Sequence, residues 1–261
     1  MDVFTALFYV FFIAVFLVSW KSHFFPSGSF GRARSEIAAS CAVMAVCAGG
    51  VGFVLLRWSA NDVREDSGEL IFYFVFSLIW IVFTQMVFEF LGVGLRDDAV
   101  ERKNRGALFA MAGLTIGASC CVAGSNVGNG PGPEVVFFCA ALSTGTLLFL
   151  WTLLARVTSL AEAITVERDI GAGLRAGGLL AGCGAICGAA VAGEWVSPGS
   201  TLRDFIRFVW PVLAGFILVA ALELQFNRRP LASRLNANSS AVVAGVLSIV
   251  ASAYALWVAK Q

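Results

Sequence analysis

Long apolar runs separated by short polar segments dominate the chain. Each of eight runs has roughly the 20 residues that a helix needs to cross a hydrocarbon core about 30 Å thick. The runs cover Asp2 to Trp20, Ile37 to Leu56, Leu70 to Val93, Ala107 to Ser125, Val135 to Leu154, Gly171 to Ala192, Phe205 to Phe226 and Ala241 to Val258. The first has neither a basic start nor a small-residue cleavage site, so we expect a retained span. The pattern predicts an all-α membrane protein with eight transmembrane helices.

Composition agrees with this pattern. Of the 261 residues, 59% are hydrophobic and 13% are charged, and the mean hydropathy is +0.84. Such a balance is typical of polytopic membrane proteins. The net charge of +1 provides no basic field for nucleic acid.

Cofactor and enzyme chemistry finds little support in the sequence. His23 is the single histidine, so histidine-based zinc sites and bis-histidine haem are excluded. The seven cysteines lie in apolar runs, where cysteine packs as a small hydrophobe. Cys183 and Cys187 lie one helical turn apart but lack a second pair of metal ligands. Without a catalytic set of nucleophile and base or a nucleotide loop, we expect no enzyme, no cofactor and no metal site.

Lysine and arginine are distributed unevenly between the loops. The loops after the odd-numbered spans, with their flanks, hold thirteen of these residues, whereas the other loops and the termini hold five. Cytoplasmic loops of membrane proteins carry the excess of basic residues. The odd-numbered loops are therefore predicted to lie in the cytoplasm, with both termini outside.

The two halves of the chain align with each other at a shift of 133 or 134 residues. This shift places Gly49 on Gly182, Glu89 on Glu223 and Asn104 on Asn238. The alignment predicts two parallel four-helix halves, 1–125 and 135–261, joined by an external Gly/Pro loop at 126–134. Each half has an even number of spans, so the copies point the same way and their pseudo-axis follows the membrane normal.

Bulky and small residues alternate between successive spans, which predicts four helical hairpins. The odd-numbered spans are rich in bulky side chains suited to lipid, and the even-numbered spans are rich in Ala, Gly, Cys and Ser. Because small residues let helix backbones approach closely, we expect the even-numbered helices nearer the centre. Span six carries three small-xxx-small pairs: Gly173 and Gly177, Gly178 and Gly182, and Gly184 and Gly188. Helix packing is the preferred interpretation of these glycines, and a glycine-lined permeation path is the alternative.

Three segments share a motif in which a polar or acidic residue precedes a small-residue helix. They are AEAITVERDIGAGLRAGG from Ala161, EIAAS from Glu36 and NRGALFAMAG from Asn104. With GEWVS from Gly193, they resemble the repeated signature of the YjfL-like family of bacterial inner-membrane proteins. The chain resembles a doubled form with four hairpins, although SSAVVAG from Ser239 carries no acid before its helix. The resemblance implies a bacterial plasma membrane, no established activity, and a link to envelope-stress proteins.

Two glutamates are the strongest candidates for a functional role. Glu89 and Glu223 occupy equivalent places near the predicted cytoplasmic ends of spans three and seven. One interpretation is an interfacial acid that pairs with an arginine such as Arg96 or Arg228. The other is a pair of carboxylates that binds protons or cations, with Gln85 as a further ligand.

Several loop and boundary residues have simpler expected roles. The charged segment Leu95 to Gly106 is predicted to be a solvated cap, with docking of a cytoplasmic partner as the alternative. Asp169 is expected to cap span six. The segment NVGNGPGP, Asn126 to Pro133, is predicted to be a turn, with the lining of an external vestibule as the alternative. Pro211 should kink span seven, which either serves packing or opens a cavity.

Two functions stay open at this stage. The first is a channel or transporter for a small cation or protons, based on Glu89, Glu223 and the glycine-rich helices. The second is a non-transporting module that senses or scaffolds envelope stress through its cytoplasmic loops. The partners expected are the lipid bilayer, further copies of the chain and a cytoplasmic stress-response protein, but no nucleic acid.

Overall fold

The computed structural model describes residues 34–130, 132–227 and 237–258. The first predicted span, Asp2 to Trp20, lies outside them. Seven helices in these residues are long and apolar enough to cross a membrane. They are α1 Arg34–Trp58, α2 Ser67–Phe90, α3 Arg105–Ser125, α4 Pro133–Val157, α5 Ile170–Val191, α6 Pro198–Asn227 and α7 Ala237–Val258. The chain is therefore a polytopic, all-α membrane protein.

In the described part of the chain, three short helical segments lie between the spanning helices. Asn61–Glu65 and Leu160–Thr165 are α-helical, and Leu95–Glu101 is a π-helix. The sequence pattern did not predict them. The seven spanning helices match the second to eighth predicted spans to within a few residues, apart from the start of α6, which begins seven residues before the predicted Phe205.

The spanning helices form two layers. Helices α1, α3, α5 and α7 lie side by side in that order and run in the same direction. Helices α2, α4 and α6 run the opposite way: α2 packs on α1 and α3, α4 packs on α3 and α5, and α6 packs mainly on α5. The small-residue helices therefore form one continuous row.

The centre of this row is buried and its two ends are not. In the most apolar stretch of each helix, 67% of α3 and 78% of α5 is buried, against 22% of α1 and 17% of α7. The expectation that small-residue helices lie nearer the centre is thus right for α3 and α5. Helices α1 and α7 lie instead at the two edges of the row. The eight-helix arrangement of four hairpins stays a prediction, because the first span is outside the described residues.

Glycines bring the backbones of the central helices into direct contact. A Cβ atom added at Gly113 of α3 would collide with the backbone of Gly177 in α5, and one at Gly184 would collide with Gly117. All six glycines of the predicted pairs face a neighbouring helix: Gly173, Gly177, Gly184 and Gly188 face α3, whereas Gly178 and Gly182 face α7. Their positions serve close helix packing.

The two ends of the bundle differ in their number of basic residues. We call the end at which α1, α3, α5 and α7 begin the basic end. Among the described residues it carries Arg34, Arg96, Arg102, Lys103, Arg105, Arg156, Arg168 and Arg175. The opposite end, called the vestibule end, carries Arg57, Arg64, Arg203 and Arg207. The loop asymmetry seen in the sequence is thus also an asymmetry of the folded bundle.

The charged segment after α2 is packed against the bundle, in contrast to the expected solvated loop. In the π-helix Leu95–Glu101, Leu95 is 2% exposed and Val100 is fully buried. The buried Asp98 carboxylate accepts a hydrogen bond from the Gly94 amide at 2.9 Å and pairs with Arg102 at 3.1 Å. These contacts make the segment a folded cap on the basic end.

Side-chain caps fix where the two central helices begin. The Asn104 side chain accepts hydrogen bonds from the Gly106 and Ala107 amides and donates one to the Ile164 carbonyl at 2.6 Å. Asp169 accepts a hydrogen bond from the Gly171 amide at 2.8 Å, which confirms its predicted capping role.

Candidate functional site

A cavity of about 300 Å³ opens at the vestibule end of the bundle. Its walls come from the ends of α1, α3 and α5, from the first two turns of α2, α4 and α6, and from residues 126–130 and 132. The Gly/Pro segment predicted to be a turn is therefore also part of a vestibule wall, as in the alternative interpretation of that segment.

Backbone hydrogen bonds hold this segment in place. The Gly128 amide donates to the Trp58 carbonyl at 3.1 Å, and the Val127 carbonyl accepts from the Gly193 amide at 3.3 Å. Gly128 has φ +95°, and an added Cβ would collide with Gly193. Because only glycine tolerates both conditions, this residue lets the segment lie against the ends of α1 and α5.

The vestibule is acidic. Four carboxylates line it, and its described lining residues include no Lys, Arg or His. They belong to Asp62, Glu69, Glu194 and Asp204, which are exposed. In the described part of the chain, no three His, Cys, Asp or Glu side chains come together as metal ligands. Four carboxylates without a basic neighbour in the lining give the vestibule a negative potential.

Asn126 lies on the vestibule wall with an unsatisfied side-chain oxygen. The residue is 5% exposed, and its Nδ2 donates to the Val122 carbonyl at 2.6 Å and to the Ser77 hydroxyl at 3.3 Å. Its Oδ1 has no hydrogen-bond donor. A buried amide oxygen without a donor costs about 1–3 kcal/mol, so such an atom calls for a specific explanation, such as a bound ion or water.

A second, smaller cavity lies nearer the basic end. It has a volume of about 120 Å³ and is lined by residues of α1, α2 and α3 and by Leu95. Gln85 of α2 lines it, is 2% exposed, and donates from Nε2 to the Thr115 hydroxyl at 2.7 Å. The Gln85 Oε1 has no donor. At about 30 Å³ per water, this cavity has room for a small hydrated ion.

The two unsatisfied oxygens belong to the same helix interface. Gln85 Oε1 and Asn126 Oδ1 are the two buried side-chain N or O atoms without a partner in the described residues. Gln85 lies on α2 and Asn126 directly follows α3, and Asn126 contacts Ser77 of α2. We call this interface the α2–α3 seam. It runs from the vestibule to the smaller cavity, which we call the inner cavity.

An apolar plug separates the two cavities along the seam. Ile81 of α2 is fully buried between the levels of Ser77 and Gln85, in one apolar cluster with Ala118 and Val122 of α3. Gln85 follows Ser77 by eight positions, which corresponds to roughly 12 Å along the helix. The described conformation is therefore closed between the cavities.

Glu89 lies one helical turn beyond Gln85, in the last turn of α2. It is half-buried, and its Oε1 lies 3.0 Å from the point that a Cβ on Gly94 would occupy. The carboxylate thus lies against the start of the folded cap. It continues the line of α2 polar residues to the basic end.

Glu223 has a different environment. It is 2% exposed and forms a two-pronged ion pair with the fully buried Arg175, from Nε to Oε1 at 2.5 Å and from Nη2 to Oε2 at 3.2 Å. Arg175 Nη1 also donates to the buried Ser240 hydroxyl at 2.7 Å. The cluster of Arg175, Glu223 and Ser240 ties α5, α6 and α7 together.

The structure does not bring the two candidate glutamates together. Helix α2 packs on α1 and α3, whereas α6 packs mainly on α5, so Glu89 and Glu223 lie on opposite flanks of the α3–α5 pair. Glu223 pairs with an arginine, as one of the two interpretations of the sequence expected, but its partner is Arg175 and not Arg96 or Arg228. Sequence reasoning missed Arg175, although an arginine inside a small-residue span is a signal that a buried partner exists.

No family model, curated protein or solved structure matches the chain. The resemblance to the YjfL-like family accordingly stays a prediction from the quoted motifs. Function has to be inferred from the geometry of the bundle.

Proposed function

We propose that the chain moves small monovalent cations or protons across a bacterial plasma membrane along the α2–α3 seam. The observation that carries this proposal is the pair of unsatisfied oxygens, Gln85 Oε1 and Asn126 Oδ1, which lie on one seam at two cavities. Buried polar groups in membrane helices that lack a partner are costly, and they are typical of ion and proton pathways. The glycine-packed α3–α5 contact has no space for such a path.

Each part of the seam has a distinct role in this proposal. The acidic vestibule concentrates cations, and Asn126 accepts the ion at the vestibule wall. Gln85 binds it in the inner cavity, where amide and hydroxyl oxygens replace part of its hydration shell. Glu89 receives it at the basic end. Glu223 takes no part in conduction, since Arg175 already neutralises it.

Orientation follows from charge in the same proposal. The basic end faces the cytoplasm, because basic residues accumulate on cytoplasmic loops. The vestibule then faces outside. A negative membrane potential inside the cell would draw cations from the vestibule towards Glu89.

Removing the amide of Gln85 should stop the flux. We expect Gln85→Leu, which keeps the side-chain volume, to lower cation or proton flux at least tenfold, because the inner cavity then offers no oxygen from α2. The measurement is dye-detected flux into proteoliposomes under an imposed potential, run separately with K⁺, Na⁺ and a pH gradient.

The matched control is Gln225→Leu, at an exposed glutamine near the end of α6. Glu89→Gln tests the basic-end step in the same assay, and Glu162→Gln, at an exposed glutamate of the same end, is its control. A Gln85→Leu variant with the same flux as the wild type would contradict the proposed path.

Opening the apolar plug should have the reverse effect. We expect Ile81→Ser to raise the basal leak several-fold, because hydrophobic constrictions close a pore by excluding water and a hydroxyl lets water enter. The same proteoliposomes measure the leak without a potential. Ile71→Ser on the lipid-exposed side of α2, where Ile71 is 56% exposed, should leave the leak unchanged.

A non-transporting stress module is the second candidate. The folded cap at the basic end favours it, because the π-helix presents the exposed charges of Arg96, Asp97 and Glu101 to the same surface. Liposomes that stay tight with every ion, together with a cytoplasmic partner that is lost when these charges are exchanged, would favour this function.

A further inference from the structure

An apolar groove of about 440 Å³ runs between α5, α6 and α7 on the flank opposite the seam. Its walls include Leu179 of α5, Leu218 of α6 and Val250 of α7, all within helices of membrane-spanning length. The groove therefore lies at the depth of the hydrocarbon chains.

The groove lies where the backbone of α6 is close to α5 but farther from α7, which α6 meets through side chains. Pro211 and Gly215 lie on the α6 wall of the groove, one helical turn apart. Helix α6 continues through Pro211, as its range Pro198–Asn227 shows. Gly215 has no side chain to fill the gap, and an added Cβ would make only ordinary contact with Leu179, at 3.7 Å.

Aromatic rings close the groove towards the vestibule end. The ring centroids of Trp210 and Tyr254 lie 6.3 Å apart across α6 and α7, and those of Phe208 and Trp257 lie 6.5 Å apart. Trp210 is 60% exposed and Trp257 is 51% exposed. Tyr254 and Trp257 lie in the last two turns of α7, and Trp and Tyr side chains near the ends of membrane spans are typical of the level of the lipid headgroups.

Arg207 adds a positive charge at this level. It precedes Pro211 by four residues, so it lies on the groove face of α6, one turn closer to the vestibule end. Its guanidinium carbon lies 5.4 Å from the centroid of the Phe208 ring, and the side chain is exposed. Asp204, the nearest acid in sequence, lines the vestibule. An anionic headgroup with an acyl chain fits this combination of charge, aromatic rim and apolar groove.

We propose that this groove is a binding site for one anionic phospholipid. The acyl chain lies in the groove beside Pro211 and Gly215, and the phosphate of the headgroup contacts Arg207 at the level of the aromatic rim. This site lies on the other side of the α3–α5 pair from the α2–α3 seam and does not depend on transport.

Native mass spectrometry tests the proposal by measuring which lipids stay bound to the full chain. The protein is released from nanodiscs that contain equal amounts of phosphatidylglycerol and phosphatidylethanolamine. We expect the wild type to retain phosphatidylglycerol about fivefold over phosphatidylethanolamine, the ratio that one basic residue at an anionic membrane surface provides. Arg207→Gln should bring the ratio close to one. Gly215→Phe should lower the retention of both lipids about tenfold, because the ring fills the groove.

Matched variants serve as controls. Arg64→Gln removes an exposed arginine of the same membrane face, and Gly145→Phe adds a ring at an exposed glycine with no atom within 4 Å. Equal retention of the two lipids by the wild type would overturn the proposal, as would an Arg207→Gln ratio equal to that of Arg64→Gln.

Other occupants give different results. A dimer in the same spectra that dissociates in Gly215→Phe would identify a second copy of the chain and overturn the lipid site. Retention that no groove variant changes would mean that residues 1–33 or nothing occupies the groove, and would also overturn it. Should Gly215→Phe fail to fold, the comparison of Arg207→Gln with Arg64→Gln decides alone.

Discussion

An alanine at Gly113 is expected to lower the stability of the bundle by about 3 kcal/mol, at the upper end of the usual cost of overpacking. The added methyl group would collide with three backbone atoms of Gly177. Backbone atoms cannot change rotamer, so α3 and α5 would have to move apart. That movement would also loosen the contacts of Gly117 with Gly184 and of Gly124 with Gly188.

The free energy of unfolding measures this effect. The purified protein in mixed micelles is titrated with a denaturing detergent, and unfolding is monitored as the loss of helix content. Gly49→Ala in α1 is the control, since nothing lies within 4 Å of the Cβ it would add. The control should be neutral or more stable by up to about 1 kcal/mol, the helix propensity of Ala over Gly. If both alanines destabilise the protein equally, backbone contact between α3 and α5 is not what holds the centre together.

Breaking the buried ion pair should have the largest effect of all. We expect Arg175→Met to destabilise the protein by about 3–5 kcal/mol, because it leaves the carboxylate of Glu223 buried without a counter-charge. The Ser240 hydroxyl loses its donor in the same variant. The same titration in mixed micelles measures the loss.

A double-mutant cycle separates the pair from simple packing. Glu223→Met added to Arg175→Met should recover most of the lost stability, because well-packed apolar groups can replace both charges. Arg156→Met, at an exposed arginine of the same end, should change stability by less than about 1 kcal/mol. Single and double effects that simply add would show that Arg175 and Glu223 do not interact.

The positions of the helices could be predicted from the sequence, because local chemistry determines them. Helix α5 begins at Ile170 because the Asp169 side chain caps its first turn, and both residues are adjacent in the chain. The start of α6 was predicted seven residues late, at Phe205 instead of Pro198, because the charged residues of its first turns interrupt the apolar run.

Side-chain partners could not be predicted in the same way. The partner of Glu223 depends on how α5 and α6 are rotated about their axes, and sequence distance carries no information about that rotation. The duplication also misled, since it equates Glu89 with Glu223. Arg175 aligns with Cys41 at this shift of 134 residues and with Ala42 at 133, so the first half has no arginine for Glu89 at that place.

The burial of Asn126 could not be predicted for a related reason. In the sequence it opens a Gly/Pro turn, where asparagine is common for local reasons alone. Only the fold shows that it is 5% exposed and holds Ser77 of another helix. The π-helix Leu95–Glu101 was missed because its charges suggested solvent, whereas its apolar residues face the bundle.

The glycine contacts between α3 and α5 also limit how this protein can change shape. Backbones that touch at Gly113 and Gly177 and again at Gly117 and Gly184 interlock, so neither helix can slide past the other without a clash. Interfaces of this kind favour rigid-body motion of the surrounding parts. Helices α3 and α5 would then stay fixed relative to each other. Any opening of the α2–α3 seam would come from α1 and α2 tilting away from this rigid pair.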